Sequence, residues 1–104
     1  MPTRLELLTA MVEKDPDDTF LQYAIALEYV GANRLEEAAA TLEALMIKSP
    51  DYPSGFHQAA RVYERLERTA DARRCYESGM ACADRAGDPH AKAEMSMALA
   101  ALQD

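Results

Sequence analysis

Shifted by 34 residues, the sequence superimposes on itself. Pro16-Asp17 falls on Pro50-Asp51, Leu8 on Leu42, Ala10 on Ala44, Ala26 on Ala60, Tyr29 on Tyr63, Arg34 on Arg68, Ala38 on Ala72, Glu43 on Glu77 and Met46 on Met80. A fixed period of this length restricts the fold more than any composition does. One short unit cannot bury its own apolar face, so its copies must stack and share a continuous core.

The units are helical. Ala, Leu, Glu, Arg and Met dominate the segments between breaks, and strand formers are scattered. The breaks are Asp15-Pro16-Asp17-Asp18, Gly31-Ala32-Asn33, Ser49-Pro50-Asp51-Tyr52-Pro53, the Glu67-Arg68-Thr69 region and Gly87-Asp88-Pro89. Proline suits the first turn of a helix but not its interior, and Asp or Ser can cap the exposed N–H groups there. Five breaks predict six helices, at 3–14, 18–31, 35–48, 54–67, 70–86 and 89–103. The fold class is therefore all-α, and the 104 residues make a single domain.

The repeated residues resemble the tetratricopeptide repeat (TPR) family, in its small single-domain bacterial form. The first repeat carries Gln22-x-x-Ile25-Ala26-x-x-Tyr29, then Ala38-x-x-x-Leu42 and Pro50; the second carries Phe56-x-x-Ala59-Ala60-x-x-Tyr63, then Ala72-x-x-x-Tyr76, with Asp84 where proline is usual. Leu8 and Pro16 extend the pattern backwards as a half repeat. The resemblance implies an α-solenoid of stacked antiparallel helix pairs: half repeat 1–16, repeat one 19–52, repeat two 53–86 and a capping helix 88–104. Gln22, Leu45 and Arg4 depart from the pattern, the last standing where alanine is expected. The small residues Ala26, Ala38, Ala60 and Ala72 let paired helices approach closely, and Ile25, Tyr29, Leu42, Tyr63, Tyr76 and Met80 fill the space around them.

Residues 20–30 are apolar on nearly every side of a helix, which normally means burial all round. At 100° per residue, Gln22, Ile25, Ala26 and Tyr29 share the repeat-core face, while Phe20, Tyr23, Leu27 and Val30 share another. The resemblance implies that this second face belongs to the concave surface on which such proteins lay extended peptides or helices. The competing reading is burial by neighbouring helices. One repeat later the equivalent face turns polar and basic, with His57, Arg61 and Arg65 and then Arg68. Guanidinium forks at this spacing suit a carboxylate or an acidic segment; the alternative is pairing with Glu64 and Glu67 on the same helix. The lysine and asparagine clamp of the family's chaperone-tail binders is missing, since Tyr23, Leu27, His57 and Arg61 occupy the nearest positions. That ligand is not expected here.

Charge and side-chain inventory exclude most other functions. Eleven basic and eighteen acidic residues leave −7, of which −6 lies in residues 1–52, the wrong sign for gripping phosphates or anionic lipid. Neither nucleic acid nor membrane is expected as a partner. No apolar run reaches the roughly 20 residues of a membrane span. Cys75 and Cys82 stand seven apart on one helix, outside disulfide range, and read as reduced core or boundary thiols of a cytoplasmic protein. His57 and His90 have no zinc-like spacing, and phosphate loop, nucleophile elbow and metal-binding His-Glu helix are all missing. Catalysis, metal and cofactor are not expected. Pro89 lies 39 residues after Pro50, so the beat slips by five before the last helix. There Ala91, Met95, Ala98, Leu99 and Leu102 form an apolar stripe backed by Lys92, Ser96 and Gln103, as a cap requires. The expected function is non-enzymatic binding of a protein or peptide in a shallow groove formed by Phe20, Tyr23, Leu27, Val30, His57, Arg61 and Arg65. The second reading is self-association of two copies through the Phe20 strip or the last helix.

Overall fold

A computed structural model describes residues 1–102 of the chain. It contains six helices: α1 (Arg4–Lys14), α2 (Thr19–Gly31), α3 (Leu35–Lys48), α4 (Pro53–Arg65), α5 (Thr69–Ala86) and α6 (Pro89–Ala101). Helix α4 closes two residues before the expected 67 because Glu67 turns left-handed, at φ 58°. Gln103 lies outside the described residues.

The breaks act through identifiable chemistry. Thr3 and Glu6 form a reciprocal capping box, each backbone N–H reaching the other's side chain at 3.1 Å. Asp18 accepts from the Leu21 N–H at 3.1 Å and Asp88 from the Ala91 N–H at 3.0 Å, while Pro53 and Pro89 occupy first turns. Helices α3 and α5 lack side-chain caps and start from a repeated turn instead. Asn33 (φ 59°) and Glu67 are left-handed; the next residue's N–H then bonds back to Tyr29 O at 2.8 Å or Tyr63 O at 2.9 Å. In each copy the arginine after the turn lies over that tyrosine's ring, Arg34 on Tyr29 at 4.9 Å and Arg68 on Tyr63 at 4.8 Å. The 34-residue beat is thus kept down to individual contacts.

Each helix packs against its sequence neighbours, and α4 also touches α6. The close-approach alanines Ala26, Ala38, Ala60 and Ala72 are fully buried, as are Leu42, Leu45, Val62, Cys75, Tyr76, Cys82 and Met95. Ile25, Tyr29 and Met80 are half-buried. The departure at Leu45 is accommodated by what it packs against. The large Leu45 lies against Gly55, whereas at the equivalent position Gly79 makes room for Phe56 and Met95. Tyr63 ties three helices: its hydroxyl donates to Glu43 Oε1 at 2.7 Å, and Arg74 of α5 reaches the same carboxylate at 2.5 Å. Burial, then Glu43, pushes the Tyr63 hydroxyl up to about 12. At the N-terminal end, Leu8, Leu21 and Ala24 form a separate small cluster with Val12 and Ile25 packed on it.

Candidate functional site

Helix α2 is not covered all round, contrary to the burial its composition suggests. Leu21, Ala24 and Ala26 are buried between α1 and α3, and Tyr23 and Val30 are half-buried against the main core. Phe20 is 67% exposed and Leu27 39% exposed. A two-sided neighbourhood cannot cover a helix that is apolar on three sides, so the third side faces outwards.

That side forms a cleft of 320 Å³ lined by Arg4, Phe20, Tyr23, Ala24, Leu27 and Glu28. Three of the seven expected groove residues therefore line one concavity. Its floor is shaped by Tyr23, whose ring meets Tyr52 edge-on at 5.5 Å and 73°. Arg4 pairs with Glu28 at the rim, so the apolar floor carries one charge of each sign beside it. Sequence reasoning noted Arg4 only as a misfit in the repeat. Its position where alanine is expected was the available signal, because a long cation there has to reach across to a neighbouring helix.

The α4 residues lie outside this cleft. His57 is half-buried with its ring 6.1 Å from that of Tyr76, at 61°. Burial pushes its pKa below the ordinary value; Arg61 adds to that, and Glu94 and Glu64 act against it. Arg61 and Arg65 are exposed. Arg65 donates to Asn33 Oδ1 at 3.0 Å, which sets it beside the turn at the end of α2. Glu64 accepts from the Tyr76 hydroxyl, and burial followed by this carboxylate drives that hydroxyl well above the ordinary tyrosine range. Arg68 is engaged at its turn by Asp71 at 2.8 Å and by the Tyr63 ring. Of the basic series, Arg61 and Arg65 thus remain turned to solvent.

Among the described residues no group of three or more His, Cys, Asp or Glu side chains is placed to hold a metal ion, and no helix is long and apolar enough to cross a membrane. Cys75 and Cys82 are free and fully buried. Burial pushes the Cys75 thiol up to about 11 and raises that of Cys82, which makes both poor nucleophiles.

No protein-family model matches the chain. A TPR repeat-containing protein of Pseudomonas aeruginosa is 30% identical over 98 residues, which is 94% of this chain and 93% of the relative. The solution structure of a tetratricopeptide repeat domain protein from Salinibacter ruber superimposes with a TM-score of 0.78 at 33% identity, covering 82% of this chain and 86% of that one. A solution structure of a Bordetella parapertussis protein superimposes with a TM-score of 0.81 at 25% identity, covering 96% and 87% of the two chains.

Proposed function

The chain belongs to the tetratricopeptide repeat family, whose members serve in general as protein-interaction modules, and from that premise we propose a non-catalytic adaptor that takes a peptide or helix of a partner protein along α2 and α4. The observation that carries this reading is the open cleft beside α2. Phe20, Tyr23 and Leu27 turn apolar surface outwards there, where a soluble helix ordinarily turns polar side chains. A concave apolar floor with a few charges at its rim suits an aliphatic or aromatic anchor side chain. On this reading the half-buried Val30 and the exposed Arg61 and Arg65 of α4, which lie outside the cleft itself, extend the binding surface, with the two arginines as its cationic end. In a protein of charge −7 these two arginines favour an acidic group on the ligand next to its apolar anchor.

Leu27→Asp tests the reading. A partner recovered from the native host by affinity capture should bind this variant at least tenfold more weakly, since a buried anchor contact contributes about 2 kcal/mol or more. The helical circular-dichroism spectrum should stay unchanged. Replacing Arg61 and Arg65 together by alanine should weaken binding chiefly at low salt, because exposed charges act at distances that salt screens. Unchanged affinity in folded Leu27→Asp protein refutes the groove.

A further inference from the structure

A second surface, away from the groove, is left open by the repeat. In α5 the positions Cys75, Gly79 and Cys82 are all buried, and a Cβ on Gly79 would meet Met95 and Phe56 of the flanking helices at under 3 Å. The same positions two repeats earlier are Leu7, Met11 and Lys14 of α1. Here Leu7 is 52% and Met11 50% exposed, and with Ala10 and Lys14 they line a shallow groove of 300 Å³. Leu8 is the only buried residue of this 11-residue helix, and it belongs to the separate small cluster rather than the main core. A helix this short is marginal without further packing.

We propose that this face of α1 is the contact between two copies of the chain, related by a twofold axis with the α1 helices antiparallel. Three observations select this occupant. First, a helix does not fit on α1 in the repeat's own register: the close-approach alanines Ala38 and Ala72 are fully buried, but their equivalent is Arg4, whose long stem stands where they have a methyl group while its guanidinium reaches Glu28 of α2. Head-to-tail continuation of the solenoid, with α6 of one copy on α1 of the next, is blocked by the same residue. Second, α1 is electrically neutral, with Arg4 and Lys14 against Glu6 and Glu13, in a chain of −7. Two copies therefore meet across α1 without a net like charge on the facing helices, and a strongly charged foreign partner finds no complementary field on it. Third, the face is self-complementary. The small Ala10 lies between Leu7 and Met11, allowing close crossing, and an antiparallel pairing turns Lys14 at the end of each helix towards the first turn of the other, where Glu6 stands.

A contact confined to one short helix from each copy is smaller than a standard stable interface, so the dimer is weak and forms only at high protein concentration. Sedimentation equilibrium from about 10 μM to 1 mM, a range suited to a weak contact, should show the mass rising from 11.5 kDa towards twice that value. Leu7→Glu and Met11→Lys, both at exposed positions, should each hold the mass at the monomer value with an unchanged helical spectrum. Leu27→Asp should dimerise like the parent. A cysteine introduced by Ala10→Cys should cross-link two copies under mild oxidation at least tenfold faster than one introduced by Ile47→Cys, on the 81%-exposed Ile47 of α3. A monomer at every concentration overturns the proposal and leaves the face to a foreign helix. A dimer abolished by Leu27→Asp but not by Leu7→Glu also overturns it, by moving the contact into the groove. Equal cross-linking rates at residues 10 and 47 refute the antiparallel crossing.

Discussion

Gly79→Ala should destabilise the protein although alanine is the better helix former. Gly79 sits inside α5, where exchange for alanine brings about 0.8–1 kcal/mol of helix propensity. A Cβ there would stand 2.5 Å from Met95 Sδ and 2.8 Å from Phe56 Cβ. The Met95 tip can swing aside, but Phe56 Cβ is fixed to the α4 backbone, so α4 and α5 must separate by several tenths of an ångström. Overpacking of this kind costs about 1–3 kcal/mol, which leaves a net loss of about 1 kcal/mol after the propensity gain. Gly31 supplies the control: it ends α2 with no atom within 4 Å of an added Cβ and with no left-handed backbone. Gly31→Ala should stabilise by about 0.4–1 kcal/mol. Urea denaturation of both variants, with equal m-values, should therefore move the midpoints in opposite directions. In thermal melts a 1 kcal/mol change corresponds to roughly 4–8 °C for a chain near this size. If Gly79→Ala is as stable as Gly31→Ala, the close approach of α4 and α6 to α5 is refuted.

Two further predictions follow from the buried and half-buried titratable groups. The folded protein should react with no equivalents of a thiol reagent at pH 8 and with two after denaturation, since Cys75 and Cys82 are fully buried and burial raises both thiols; rapid native reaction would show that the α5 face opens. The imidazole of His57 should titrate by NMR below the ordinary value of 6.5. Because its folded pKa is the lower one, the unfolded chain binds the proton more readily, so stability is full above 6.5 and declines as pH falls through the folded value. His57→Gln should flatten that limb, and an unchanged acid limb together with a midpoint above 6.5 would refute the burial of this ring.

How much was legible in the chain follows from what a repeat can and cannot specify. The 34-residue beat and the Pro, Asp and Asn breaks sufficed to set six helices in order, because capping, proline and left-handed turn chemistry act over four or five residues. The same beat located Ala26, Ala38, Ala60 and Ala72, because a helix face is set by 3.6-residue periodicity alone. It also held Tyr29 with Arg34 and Tyr63 with Arg68, pairs whose spacing is local. What only the tertiary structure decided concerns surfaces whose neighbours are distant in sequence. Phe20 and Leu27 have the same apolar character as Leu21 and Ala24; they are exposed because α1 and α3 cover only two sides of α2. Arg4 looked like a flaw in the pattern until α2 brought Glu28 to it. Spacing along α4 offers Glu64 to the arginines of its own helix, but the Tyr76 hydroxyl of α5 donates to it. Periodicity determines which way a side chain leaves its helix. Whether it then meets protein, a counter-charge or solvent depends on the number of helices packed around that point, and this is lowest at the end of the stack formed by α1.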